Sequence, residues 1–229
     1  MNPKTLLVIN NKKFIFKFIL FLAAFLISLY DITLLKKVLV TNIGYFSFYQ
    51  VLWFFFLSEM LLVFVPRWST YVGCGKLYVK HYSEAVYQQD ALLKHTKKFN
   101  RRALLALIFW LALLSGLGVI FLNGLINEMG LFLLFLFLYF ADQFCINIWC
   151  PFQAWIVRSK CCNACRIYNW DHIMIFSPLA FIPSFWTWSL IAVSLIIMIQ
   201  WEYQHYRYPE RFSEISNLNL RCRYCKNKC

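Results

Sequence analysis

Long apolar runs constrain this chain more than any other feature of its 229 residues. Several of them approach or exceed the roughly 20 residues that a helix needs to cross a bilayer. Only α-helices and closed β-barrels satisfy all of their backbone hydrogen bonds in lipid. These runs are continuously apolar and lack the alternation of barrel strands, so we interpret them as helices. With 61% hydrophobic and only 14% charged residues, the composition also differs from that of a soluble domain. The sequence predicts an all-α, polytopic helical bundle with the lipid bilayer as its partner.

Four of the runs predict clear transmembrane helices: Phe14–Tyr30, Phe46–Val65, Ala103–Leu122 and Gly130–Trp149. A fifth run, Ile173–Trp201, contains Pro178 and Pro183 in its first half. Proline breaks or kinks a helix because it lacks the backbone donor. This run is therefore predicted to be a broken or re-entrant passage.

The same pattern divides the chain into two parts. Residues 1–201 are predicted to form one integral membrane domain with loops at 66–102 and 151–172. Residues 202–229 are predicted to form a basic tail that contains cysteines.

Basic residues alternate between rich and poor loops. The segment 66–102 carries eight Lys or Arg, whereas the later loop "NGLINEM" carries none. The N-terminus and the cysteine-bearing loop 151–172 are also basic. Because Lys and Arg collect on the cytoplasmic side, we expect these three segments to face the cytoplasm from the cell membrane. This pattern accounts for the net charge of +13, and no nucleic-acid motif accompanies it, so a nucleic-acid partner is not expected.

The tail after Trp201 has six Lys or Arg against three Glu. A single straight span over Ile173–Trp201 would place this basic tail outside. The positive-inside rule favours a passage that turns back near "SPLAFIPS" and returns the tail to the cytoplasm.

Eight of the nine cysteines fall in three groups. The groups are Cys145 with Cys150, then Cys161, Cys162 and Cys165, then Cys222, Cys225 and Cys229. Two C-x-x-C pairs occur among them, and that spacing lets two thiolates converge on one metal. A set of thiolates suits zinc or an iron–sulfur cluster. Disulfides are less expected because the cytosol keeps thiols reduced. The ninth, Cys74, is interpreted as a packing residue.

The stretch "FCINIWCPFQAW" resembles the cytoplasmic-end motif of membrane-bound polyferredoxins, such as the quinol-oxidising subunits of periplasmic nitrate reductase systems. There a membrane helix ends in two cysteines, the second followed by proline. The resemblance covers about 25 residues and implies that Cys145 and Cys150 are ligands of a 4Fe–4S cluster. The chain departs from that family in its C-x4-C-P spacing and in lacking the double ferredoxin repeat.

The segment "CNACRIYNWDHIM" resembles the end of the cysteine-rich domain of Asp-His-His-Cys palmitoyltransferases. Asp171 and His172 match the first two letters of that motif, but Ile173 and Met174 follow. The nucleophilic cysteine is absent, which excludes that thioester chemistry. His172 remains a possible metal ligand.

These observations predict a membrane redox protein that holds one or two iron–sulfur clusters and passes electrons to a redox protein or a quinone. One alternative is a structural protein in which zinc clamps the loop to the tail. Another is a transporter of metal or small solutes. Glu59 and Asp142 lie within apolar runs, where ionisable residues are costly, and they mark a possible proton or cation route.

Overall fold

A computed structural model describes residues 3–64, 76–160 and 162–221 of the chain. Within these ranges the protein is a bundle of α-helices with one very short hairpin. The helices are α1 Pro3–Tyr30, α2 Ile32–Val40, α3 Phe48–Leu62, α4 Gln89–Leu122, α5 Glu128–Asn147, α6 Asp171–Phe176 and α7 Phe185–Arg207. The hairpin pairs β1 Asn42–Ile43 antiparallel with β2 Phe46–Ser47. The predicted all-α membrane bundle is confirmed.

Four helices in the described ranges are long and apolar enough to cross a membrane: Lys12–Tyr30 of α1, α4, α5 and α7. This set differs from the predicted one by one member. The second predicted span, Phe46–Val65, contains α3, a shorter apolar helix of 15 residues. It is shortened at its start because residues 46 and 47 belong to the hairpin. The α7 span qualifies because both prolines of the last run precede its first residue.

Local sequence signals fix where several helices begin. The Asp31 carboxylate accepts the backbone N–H of Thr33 at the start of α2, at 2.8 Å. The Asn127 side chain does the same for Gly130 N–H at the start of α5, at 2.9 Å. Such caps satisfy amide donors that have no partner inside the helix.

Glycine ends α4. Gly124 has φ +72°, a left-handed conformation that side chains disfavour. Its N–H bonds to Phe121 O at 2.9 Å, and Leu125 N–H bonds to Ile120 O at 3.2 Å. This pair of bonds is the Schellman arrangement, which satisfies the last carbonyls of α4.

The broken fifth passage has a defined course. It consists of α6 and a 3₁₀ segment, Ser177–Phe181, and α7 then runs back along it. Gly118 of α4 packs on Phe181, and a Cβ there would lie 2.9 Å from the ring. The absence of a side chain at Gly118 therefore lets α4 approach the passage closely.

The two ends of the bundle are distinct. One end lies where α5 finishes and contains Cys145, Cys150, Cys162 and Cys165. We call it the thiol end. We call the other the aromatic end, where Trp53 and Trp186 pack edge to face with ring centroids 5.1 Å apart. An apolar core connects the two ends, with Phe56, Phe135 and Phe176 in mutual contact.

The segment after Trp201 lies at the thiol end. Glu202 pairs with Arg166 of the cysteine loop, and Glu214 pairs with Lys160 at 3.0 Å. Ala85 N–H bonds to Ser216 O at 2.9 Å, so residues 76–88 lie there as well. Residues 202–221 therefore lie on the same side of the bundle as the cysteine loop. Helix α7 extends to Arg207, beyond the predicted domain boundary at residue 201.

Candidate functional site

Four cysteines lie around the point where α5 ends. Cys145 is in the last turn of α5, and Cys150 follows directly after the helix. Pro151 precedes a π-helical turn, Phe152–Val157, that turns the chain away from the helix axis. A 3₁₀ turn then carries Cys162, and Cys165 N–H bonds to Cys162 O at 2.9 Å.

The thiol of Cys150 lies at the centre of this group. Hydrogen bonds connect it to the thiols of Cys145 and Cys162. Its Sγ also accepts the backbone N–H of Gln153 at 3.5 Å. The Cys162 Sγ also lies 3.1 Å from Cys145 O. All four described cysteines are free thiols.

The surroundings shift the pKa values of Cys150 and Cys165 in opposite directions. Hydrogen bonds from Cys145 and Cys162 lower the pKa of Cys150 well below the ordinary value of a thiol, and backbone N–H groups add to the effect. Burial raises the pKa of Cys165, against a backbone hydrogen bond from Ile167 and the charge of Lys76. A thiolate, and not a thiol, is the nucleophile and metal ligand. Cys150 is therefore the thiol best prepared for chemistry among the four.

A buried lysine holds the loop at Cys165. Lys76 is only 2% exposed, and its Nζ donates to Cys165 O at 3.0 Å. The same ammonium lies 5.4 Å from the ring centre of Trp201. The cysteine loop and α7 thus meet around one cation.

A salt bridge fastens the loop to α7. The Arg166 guanidinium donates to both carboxylate oxygens of Glu202, at 2.8 and 2.5 Å. Trp170 Nε1 donates to Glu202 as well, at 2.8 Å, and Trp201 Nε1 donates to Arg166 O at 2.9 Å. Forked pairing of this kind fixes direction as well as distance.

A cavity of about 390 Å³ adjoins the thiols. We call it the thiol cavity. All four described cysteines line it, together with Asp142, Asp171 and mostly apolar or aromatic residues: Trp110, Phe137, Leu138, Trp149, Phe152, Tyr168 and Met174. Its volume lies in the range of small-molecule sites, roughly 300 to 1,000 Å³.

The two predicted intramembrane acids belong to one polar network. Lys17 of α1 pairs with Asp142 of α5 at 3.1 Å, and both side chains are nearly buried. The Lys17 ammonium also lies 3.9 Å from the ring centre of Tyr139. Tyr139 OH donates to Glu59 at 2.6 Å. Glu59 and Asp142 are thus connected through Lys17 and Tyr139.

In the sequence, Lys17 is one of the basic residues of the N-terminus, and no pattern indicates a role for Tyr139. Lys17 stands inside the apolar run "FIFKFILFL", and an intramembrane charge usually has a partner. That signal could have paired it with an acid, but it could not have chosen which one.

Asp171 also lines the thiol cavity, and His172 lies beside it. His172 Nδ1 lies 3.3 Å from Asp171 Oδ1, and its buried Nε2 has no hydrogen-bond partner. Burial raises the pKa of Asp171 to about 6, although the charge of His172 lowers it in part. The nearby charge of Asp142 raises it further.

Only four of the eight predicted metal-ligating cysteines belong to the described residues. Cys161, Cys222, Cys225 and Cys229 lie outside the described residues, as does Cys74. Across 3–64, 76–160 and 162–221, no three His, Cys, Asp or Glu side chains are arranged so that they could hold a metal ion. The described thiols instead make contacts in pairs, with Cys150 common to both pairs.

Comparison with known proteins finds no matching family model, curated protein or solved structure.

Proposed function

We propose that the chain is a membrane redox protein in which Cys150 is the reactive thiol and a neighbouring thiol, Cys145 or Cys162, is its partner. The observation that carries this proposal is the position of the Cys150 sulfur, which contacts two other thiols and a backbone N–H. Oxidation joins the Cys150 thiolate and its partner thiol in one S–S bond and breaks the S–H bond of the partner. The two electrons pass to a disulfide or a quinone as oxidant, and the proton of the partner thiol is released.

Thiol–disulfide exchange needs a thiolate that can attack and a second thiol that can resolve the mixed disulfide. Cys150 supplies the first, because hydrogen bonds stabilise its charged form. Cys145 or Cys162 supplies the resolving thiol, because two thiols in a hydrogen bond are already close enough to form a disulfide after a small movement. Burial raises the pKa of Cys165, so Cys165 is less readily ionised than Cys150.

The basic loops support a cytoplasmic position for this centre. In that compartment a disulfide is normally transient and belongs to a catalytic or sensing cycle.

Mass mapping of the oxidised protein tests the proposal. The full chain, purified without oxygen in mild detergent, is equilibrated with mixtures of reduced and oxidised glutathione, and its free thiols are then blocked with a maleimide. We expect an internal disulfide that contains Cys150, absent in Cys150→Ser and retained in the matched control Cys165→Ser. Oxidation that leaves Cys150 reduced would refute the proposal.

A second candidate is a metal centre at the same end, which would use an iron–sulfur cluster for electron transfer or zinc as a clamp. It is supported by Cys165, whose sulfur accepts the N–H of Ile167 in a C-x-x-C turn. Such bonds to sulfur accompany thiolate–metal sites. The remaining ligands would come from Cys161 and from the tail cysteines 222, 225 and 229.

Metal analysis of the same preparation separates the two candidates. Iron with acid-labile sulfide and visible absorption that bleaches on reduction would favour the cluster. About one equivalent of zinc in colourless protein would favour the clamp. Metal-free protein with a Cys150 disulfide supports the thiol centre.

A further inference from the structure

The thiol cavity gives the proposed redox centre a direct connection to the membrane. Its walls combine residues of the α4 and α5 spans, such as Trp110, Leu138 and Phe144, with the four thiols in and after the last turn of α5. Phe137 and Trp149 also line it and are 45% and 44% exposed on the bundle surface. The cavity lining therefore extends to the surface of the bundle.

The lining indicates the chemistry of the ligand. Nearly all of its surface is apolar, and several walls are flat aromatic rings: Trp110, Trp149, Phe152 and Tyr168. Such walls favour a planar ring, because offset stacking adds to the gain from burial. The exceptions are the thiols and two carboxylates, Asp142 and Asp171.

Thiols and carboxylates in one apolar pocket match the needs of a two-electron carrier that also takes up protons. Asp142 is hydrogen-bonded to Lys17, and Asp171 lies beside His172. Both carboxylates can pass protons between the cavity and the polar network behind it. A lipid acyl chain would use none of these groups.

We propose that the thiol cavity binds a quinone, a lipid-soluble planar carrier, beside Cys150. The inference rests on the proposed thiol function. In the reaction the Cys150 thiolate and its partner thiol form an S–S bond, and the S–H bond of the partner breaks. The two electrons, the proton of the partner thiol and a second proton from solvent reduce the quinone to the quinol, which balances the step.

A second cavity in the same bundle serves as a control. It lies at the aromatic end, has a volume of about 380 Å³ and is lined by Tyr49, Leu52, Trp53, Trp186, Glu128 and other, mostly apolar residues. No cysteine among the described residues lines it. Leu138 and Leu52 are both partly buried leucines that pack on the same core, one at each cavity. Leu138→Trp and Leu52→Trp are therefore a matched pair that fills one cavity at a time.

The experiment is photolabelling of the full chain in lipid nanodiscs with an azido-substituted short-chain benzoquinone. Labelled positions are mapped by mass spectrometry, and an azido fatty acid is run in parallel. We expect the quinone probe to label the thiol cavity at Trp110, Phe152 or Met174. Unlabelled quinone should displace it, Leu138→Trp should abolish the labelling, and Leu52→Trp should leave it unchanged.

Three outcomes would overturn the inference. They are labelling confined to the aromatic cavity or the lipid-facing surface, labelling that unlabelled quinone does not displace, and equal labelling of the thiol cavity by the fatty acid. Wild-type mapping alone decides these outcomes, so the inference stays testable even where Leu138→Trp does not fold.

The Cys150→Ser variant separates this inference from the proposed function. It should keep quinone labelling, because the cavity walls remain, while it loses the disulfide. Labelling of the thiol cavity without a Cys150 disulfide in the wild type would refute the thiol function alone. A Cys150 disulfide with glutathione but no cavity labelling would refute the quinone inference alone.

Discussion

The two cavities are nearly equal in volume, about 390 Å³ at the thiol end and about 380 Å³ at the aromatic end, yet their surroundings differ. Aromatic rings and neutral hydrogen bonds support the aromatic cavity, as in the bond from Trp53 Nε1 to Ser189 Oγ at 2.8 Å, and Glu128 is the one acidic residue in its described lining. Thiols, carboxylates and a buried lysine surround the thiol cavity. Equal space is thus combined with unequal chemistry.

This difference suggests a division of labour. Charged groups within a membrane are costly and persist where they have a function or a partner. The aromatic end contains the kind of packing that stabilises a bundle, whereas the thiol end also contains groups that can react. Four predictions test this contrast, in order of decreasing effect.

The largest effect is expected from Lys17→Met, at the wall of the thiol cavity. It removes the partner of Asp142 and leaves a buried carboxylate unpaired, which costs about 3–5 kcal/mol of unfolding free energy. Unfolding in detergent–SDS mixed micelles measures the loss. The double variant with Asp142→Leu should recover much of it, because it removes both charges. A single variant as stable as the wild type would show that the pair does not support the bundle.

Arg166→Ala is expected to cost less, about 2–3 kcal/mol, because it removes charged hydrogen bonds to Glu202 that are partly exposed to solvent. It should also loosen the loop that carries Cys162 and Cys165. Hydrogen exchange of residues 162–170 would report the loosening, and Arg166→Lys should show an intermediate effect because it keeps the charge but not the fork. Unchanged exchange in Arg166→Ala would refute the fastening role.

Near pH 7, Cys150 should react about tenfold or more faster than an ordinary thiol. A thiol with a pKa near 8.5 is only slightly ionised at that pH. Iodoacetamide labelling followed by peptide mapping measures it across pH. The rate at Cys150 should stay high as pH falls below 8, because the pKa of Cys150 is lowered.

The sign for stability follows from the same shift. The stabilisation from the thiolate is present above the unfolded pKa and is lost as pH falls through the lowered pKa of folded Cys150. Cys145→Ala and Cys162→Ala each remove one hydrogen-bond donor to Cys150 and should raise that pKa. If neither variant changed the pH profile, the thiol contacts would not be its cause.

The smallest effect is expected at the aromatic end. Trp53→Phe loses one neutral hydrogen bond to Ser189 and should cost about 1 kcal/mol. Thiol reactivity and the Cys150 disulfide should be unchanged. A change in either would show that the two ends are coupled and would end the simple contrast between the cavities.

The sequence alone determined the architecture, because each apolar run must satisfy its backbone within itself when it enters lipid. It also placed the break near Pro178 and Pro183 and the return of the tail, since basic residues avoid crossing the membrane. The second span was wrong in its limits, because a hairpin occupies residues 46 and 47, a feature too short for a pattern to reveal.

Only the tertiary structure decided which groups meet. Lys17 and Asp142 are 125 positions apart, and a long hydrophobic run on α1 does not specify which helix lies against it. The cysteines were visible as a cluster in the sequence, but the choice of Cys150 as the central thiol depends on the turn after α5 and the 3₁₀ turn at Cys162. Spacing fixes how near two residues are along the chain, whereas packing fixes the distances and the solvation on which reactivity depends.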